Sequence, residues 1–230
     1  MNQRWIVRSR QTAFRLIGML MVLALFPFFA RAEGQVDMTQ ILCGNLIYQG
    51  TKSSLCFSDK FLTDVARETN LRVSTSFFPV KLETDALFDT PFCVFSGDKT
   101  FNLTQKERDN LKKYLLNGGF ILASPSCSDE NWDKAFRREI KVCFPDKNLT
   151  RIPMTHPIFS IVKEIPRLTD KYGKPTLIEG LEIDGRLVMV YSKDGLNDVM
   201  NAKGCCCCGG NQISECVPVN INVLTYALLY

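Results

Sequence analysis

The sequence predicts an α/β fold in which a mostly parallel sheet is covered by helices on both faces. Three observations carry this expectation. Strand-like and helical segments alternate from residue 41 onward. Two of the strand-like segments are short continuous apolar runs, the pattern of strands buried on both faces. Between those two runs stand a complete helix start and a complete helix stop.

In chain order, Ile41-Leu-Cys-Gly-Asn-Leu-Ile-Tyr48 has strand chemistry, and Ser58 is placed to cap a helix that brings Phe61, Leu62, Val65 and Ala66 to one face. Leu71 to Phe78 is a second β-rich run, and Pro91-Phe-Cys-Val-Phe95 a third strand. Thr104-Gln-Lys-Glu107 is a capping box: the threonine oxygen can accept from the amide three residues on, while the glutamate reaches back to the threonine amide. The helix it opens carries Leu111, Tyr114 and Leu115 at helical spacing and closes at Asn117-Gly118-Gly119. Phe120 to Ala123 then resumes a buried strand, Glu130 to Ile140 reads as a helix, and Leu181 to Ser192 as a hairpin turning at Asp184-Gly185. Residues 145–215 fit the alternation less well, and the tail from Val219 to Tyr230 favours helix over strand.

The N-terminus sets the compartment. Arg4, Arg8, Arg10 and Arg15 precede an apolar run from Leu16 to Ala30, which is shorter than the roughly 20 residues of a membrane-spanning helix. Ala30-Arg-Ala32 follows, with small residues where a signal peptidase reads. Residues 1–32 are therefore expected to be a secretion signal cleaved after Ala32, or else an uncleaved inner-membrane anchor. Residues 33–230 are expected to form one exported domain, periplasmic or secreted. Removing the signal takes five of the 28 basic residues and none of the 24 acidic ones, leaving 23 against 24 and a net charge of −1. The electrostatic footprint of a nucleic-acid-binding protein is then missing, and membrane contact is confined to the N-terminal segment.

Taken together in this order, Tyr48, Pro91-Phe-Cys-Val-Phe-Ser-Gly97, Asn117-Gly-Gly-Phe-Ile-Leu122, Phe136-Arg-Arg-Glu139, His156-Pro-Ile-Phe159, Asp184-Gly-Arg186 and Val219-Asn-Ile-Asn-Val-Leu-Thr-Tyr226 resemble the bacterial family known as domain of unknown function 4159. That family is similar to class I glutamine amidotransferase-like domains. The resemblance, which runs from about Gln40 to the end, implies a flavodoxin-like three-layer sandwich and brings no established reaction.

In amidotransferase-like sheets the turn after the strand that follows the Gly-Gly helix end is a nucleophile elbow, and here that turn is Ser124-Pro-Ser-Cys127. An enzyme would use Cys127 as a thiolate with His156 as its base. His156 is the single histidine, however, and Pro157-Ile158 follows it where the catalytic pattern has a glutamate after the proline. The family also more often has an acid where Ser124 stands. The alternatives are a disulfide-bonded or buried Cys127 and a locally packed His156 at a loop-to-helix junction.

Lys203-Gly-Cys-Cys-Cys-Cys-Gly-Gly210 is a cysteine-rich loop expected to be peripheral to the sheet. Cys205, Cys206, Cys207 and Cys208, with Cys216, could hold zinc or copper, exchange disulfides, or simply form structural bridges. The acids Asp129, Glu130, Asp133 and Glu139 are read as solvated charges near a helix start, and Phe136-Arg-Arg-Glu139 as a core phenylalanine beside surface charges. No phosphate-binding glycine loop, serine-hydrolase elbow or zinc-protease motif is present.

Three functions follow. The first is a non-catalytic domain that binds a small molecule or an envelope protein at the carboxyl ends of its strands, through Ser96, Gly97, Ser124 and Ser126. The second is a hydrolase or acyl transferase using Cys127 and His156. The third is a metal or thiol-redox protein working through the cysteine loop.

Overall fold

The computed structural model of the chain describes residues 40–53, 55–202, 205 and 210–230. The secretion signal expected at residues 1–32, and Cys206, Cys207 and Cys208, lie outside these residues. Seven strands form one sheet in the order β2-β1-β3-β4-β7-β6-β5. They are β1 (Cys43–Ile47), β2 (Phe78–Lys81), β3 (Phe92–Gly97), β4 (Phe120–Pro125), β5 (Thr150–Arg151), β6 (Glu179–Ile183) and β7 (Arg186–Tyr191). All neighbouring pairs from β2 to β7 are parallel, and β6 runs antiparallel to both β7 and β5. Among the described residues four helices cover the sheet: α1 (Lys60–Glu68), α2 (Gln105–Leu116), α3 (Glu130–Cys143) and α4 (Cys216–Leu229).

The two faces are separate cores, and alternate residues of each central strand feed them. Phe92, Val94, Phe120 and Leu122 join Phe61, Leu62 and Val65 of α1 and the apolar residues of α4. Cys93, Phe95, Ile121 and Ala123 join Leu111 and Tyr114 of α2 and Trp132 and Phe136 of α3. Strands buried on both faces must be apolar at every position, which is why β3 and β4 are continuous runs in the sequence.

The capping box forms as its spacing requires. Thr104 Oγ1 accepts from the Glu107 amide at 3.2 Å, and Glu107 Oε2 accepts from the Thr104 amide at 2.8 Å. The second oxygen of Glu107 accepts from the amide of Gln49 at 2.5 Å, so one buried carboxylate holds both the start of α2 and the turn after β1. The hairpin turns on Asp184 and Gly185, with φ of 51° and 79°, the paired left-handed conformations of a two-residue turn that matches strand twist.

Three readings of the sequence shift. The second strand lies at Phe78–Lys81 rather than Leu71 to Phe78, and Val73 makes only an isolated bridge to Ile41. Pro79 argues against a strand in a sequence, but β2 is the sheet edge, where a missing amide costs nothing in the ladder. Asp59, not Ser58, is the residue before α1, while Ser58 Oγ accepts from the Lys60 amide at 3.2 Å. Of the charges after Phe136, Arg138 is exposed and Arg137 half-buried, but Glu139 is not a surface charge. Glu139 is 1% exposed and receives Arg108 Nε at 2.7 Å and Arg138 Nη2 at 3.2 Å, which ties α2 to α3. Arg137 bridges Asp133 at 2.7 Å and Glu179 at 2.5 Å.

α4 is a helix, and its sequence signal was weak because it is buried all round, from Val219 to Ala227, and so has no amphipathic period. Two of its polar residues are bonded as follows. Asn222 accepts from the amides of Val162 and Lys163 at 3.2 and 2.8 Å, and Thr225 donates to the Ile221 carbonyl at 2.9 Å. Thr104→Ala removes the side-chain half of the capping box and is expected to destabilise the fold by about 1 kcal/mol in chemical denaturation; an unchanged midpoint would show that α2 does not depend on this cap.

Candidate functional site at the carboxyl edge of the sheet

β1 leads through α1 to β2 on one side, while β3 and β4 lie on the other, so the strand order reverses between β1 and β3. In open α/β sheets the crevice beyond the carboxyl ends of the strands at such a point is the usual ligand position. Here that position is filled from within the chain. Leu196 and Asn197, in the segment after β7, sit on the strand ends. The Leu196 amide donates to Ser124 Oγ at 3.0 Å, and Asn197 Nδ2 donates to Ser96 Oγ at 2.9 Å. The Asn197 carbonyl accepts from the Ser58 amide at 2.8 Å. Ser124 Oγ donates to the Ser192 carbonyl at 3.1 Å, and Ser96 and Ser126 share a hydroxyl hydrogen bond at 3.3 Å. Asn220 of α4 donates to the Leu196 carbonyl at 2.8 Å from the opposite side.

The serines expected to line an open cleft are therefore buried and bonded to one another and to this segment: Ser96, Ser124 and Ser126 are 0, 0 and 5% exposed. Gly97 is equally enclosed, since a Cβ there would run into Tyr48 Oη. Trp132 Nε1 donates to that hydroxyl at 2.8 Å, and burial pushes the Tyr48 phenol up to about 12. Asn197 Oδ1 and Asn220 Oδ1 are buried without a hydrogen-bond partner among the described residues.

The elbow after β4 has the sharp geometry its sequence suggested. Cys127 and Ser128 both occupy the left-handed region, at φ 56° and 54°, where non-glycine residues are uncommon. Asp129 then caps α3 by accepting from the Trp132 amide at 2.8 Å. Cys127 is held in a disulfide. Cys56, in the loop after β1, is bonded to Cys205 across 149 residues of sequence. The far end of the cysteine loop also rests on the elbow: Ser128 Oγ donates to the Asn211 carbonyl at 3.0 Å, and Gly210 packs against the Cys127 backbone so closely that no Cβ would fit. Cys205 and Gly210 thus tie this segment to the loop after β1 and to the elbow.

Cys127 and His156 are not brought together. His156 precedes a single 3-10 turn, Pro157–Phe159, where its Nδ1 accepts from the Ile158 amide at 3.2 Å. Its ring lies 5.1 Å from that of Tyr226, which in turn lies 6.3 Å from Phe120, the first residue of β4. Cys127 follows Pro125, the last residue of β4, and a strand advances roughly 3.3 Å per residue. The pair therefore occupies opposite ends of the sheet, and burial lowers the imidazole below its ordinary 6.5.

Nor do the described cysteines gather as metal ligands. Cys205 is in the disulfide, and Cys216 is a free buried thiol that burial pushes up to about 12 and that accepts from Gln212 Nε2 at 3.3 Å. Among the described residues no three His, Cys, Asp or Glu side chains converge on a metal position. The acids around the start of α3 also have structural partners. Besides capping by Asp129, Asp133 accepts from Tyr191 Oη at 2.5 Å and Glu130 sits 3.9 Å from Lys134.

Asn197 and Ser192 carry no signal in the sequence. They meet Ser96 and Ser124 only through contacts between residues 68 to 101 positions apart. The fold and this edge define an α/β domain with a mostly parallel sheet. The chain belongs to the family described as "Domain of unknown function (DUF4159)", which matches residues 52–228. No curated protein matches it.

Two expectations follow. Cys205→Ser opens a closed loop of 149 residues, and in the chain-entropy account this costs up to about 5 kcal/mol. The variant should melt earlier than the unreduced protein, and reductant should lower the melting temperature of the parent likewise; equal melting in all three states would mean the bridge constrains nothing. For His156, the folded-state value lies below 6.5, so the unfolded chain binds the proton first. Its contribution to stability is intact above about 6.5 and is lost as pH falls through the folded value. Because it is the single histidine, its ring resonance can be followed by NMR without assignment, and a midpoint above 6.5 would contradict the packing described.

Proposed function

We infer that the protein is an exported, non-catalytic domain of amidotransferase-like fold that binds a small molecule or an envelope protein at the carboxyl edge of its sheet. One observation carries this reading: the elbow cysteine is held in a disulfide, and the only histidine lies at the other end of β4. A cysteine-dependent acyl transfer needs a free thiolate and a base within hydrogen-bond reach, and this arrangement supplies neither.

Export is supported by the cationic and then apolar N-terminus. The Cys56–Cys205 disulfide is compatible with an oxidising compartment. No helix among the described residues is long and apolar enough to cross a membrane. The near-neutral charge left after the signal gives no support to nucleic-acid binding.

A second reading, thiol–disulfide exchange, is favoured by the fact that Cys56, Cys127 and Cys205 are all disulfide-bonded on the same edge. The test is turnover of an activated thioester and of glutamine by the exported protein, before and after reduction, with N-terminal sequencing of the same sample. No Cys127-dependent turnover and a first residue of Glu33 are expected. An acyl-enzyme burst that Cys127→Ser abolishes would overturn the non-catalytic reading. Rapid oxidation of a reduced dithiol peptide by the intact protein would favour the exchange reading instead.

A further inference from the structure

Beside the plug formed by Leu196 and Asn197, the carboxyl half of β1, the loop that follows it and the amino half of β2 enclose a cavity of about 410 Å3. This is within the range of small-molecule sites. Leu55, Phe57, Phe77 and Pro79 form its walls, and Ser58 and Asp59 stand at the start of α1. The rings of Phe57 and Phe77 meet edge to face, 6.2 Å apart at 86°. Leu55 leaves 71% of its surface in solvent, an apolar area that an occupant would cover. The wall that carries Leu55 and Phe57 is anchored by the Cys56–Cys205 disulfide between them.

The charge of the site is one-sided. Asp59 is the single charged side chain among the described lining residues. It stands at the cap position of α1 without making the cap hydrogen bond, and the neighbouring Lys60 amide donates to Ser58 Oγ at 3.2 Å. It forms no ion pair among the described residues, whereas Asp64 and Glu68 of the same helix are paired with Arg67 at 2.5 and 3.1 Å. An unpaired carboxylate repels anions, and aromatic faces attract cations. Aliphatic and aromatic walls together favour an apolar body behind the charge.

We propose that this cavity binds an organic ammonium carried on an apolar body, with Asp59 meeting the charge and Leu55, Phe57 and Phe77 covering the rest. The site rests on the binding-domain reading and names its ligand class. It also moves the ligand from the β3 and β4 ends, which the chain itself fills, to the neighbouring carboxyl half of β1 and the start of β2.

The test is isothermal titration of the exported, disulfide-intact protein at low salt with phenethylamine, its neutral isostere 2-phenylethanol, and phenylacetate. Phenethylamine should bind about tenfold tighter than the alcohol, and phenylacetate weakest of the three. Asp59→Asn, which retains a good helix-capping residue type, should bring amine and alcohol within about twofold of each other. Phe77→Ala should weaken both by about tenfold. Equal binding of amine and alcohol by the parent protein, absence of saturable binding, or an amine preference that survives Asp59→Asn overturns the proposal. Those results leave the non-catalytic reading standing, whereas Cys127-dependent thioester turnover defeats that reading whatever the amine does.

Discussion

The seating of Leu196 and Asn197 on the strand ends is the interaction on which the rest of the carboxyl edge depends. A parallel sheet ends in a row of loops with unmatched amides and carbonyls, and a buried polar group without a partner is costly. Here Ser96 and Ser124, the inward-facing polar residues at the ends of β3 and β4, are satisfied by one dipeptide. The same dipeptide takes the Ser58 amide before α1 and the Asn220 amide of α4. Strands, the first helix and the last helix are thus joined at one point. An open cleft at this place would have left each of these groups to solvent.

Disulfides reinforce that point from outside. Cys56–Cys205 links the loop after β1 to the segment after Asn197, and Gly210 and Asn211 return the chain to the Cys127 elbow. The cysteines divide by position. Cys43 and Cys93 lie in the sheet and Cys143 at the end of α3, and burial pushes their thiols up to about 12, 12 and 11, so they behave as small apolar side chains. Cys56, Cys127 and Cys205 stand at the edge in disulfides.

The two helical layers are held by different physics. α1 and α4 meet an almost wholly apolar core, with Asn222 fastening the chain at Val162 and Lys163. α3 meets β7 through an aromatic cluster in which Trp132, Phe136 and Tyr191 stack at 4.7 to 6.5 Å, and meets α2 across the buried Glu139 with its two arginines. That carboxylate, removed from water and gripped from α2 and from its own helix, fixes the register of the two helices in a way that apolar contact alone does not.

Local chemistry was legible in the sequence because it acts over a few residues. The capping box at Thr104, the two-residue turn at Asp184-Gly185 and the apolar runs of β3 and β4 all appear where the residue types require them. The ordered motifs also placed the chain in its family. What the sequence could not determine was set by long-range contact. β2 tolerates Pro79 because it is an edge, Glu139 is buried because Arg108 crosses from another helix, and the serine cleft is filled because residues some hundred positions away fold back over it. Alternation and capping determined the architecture, and the resemblance to amidotransferase-like sheets pointed to the turn that bears Cys127. Only the tertiary structure decided that His156 belongs to the other end of the sheet, since its ring packs on Tyr226 beside the first residue of β4, whereas Cys127 follows the last.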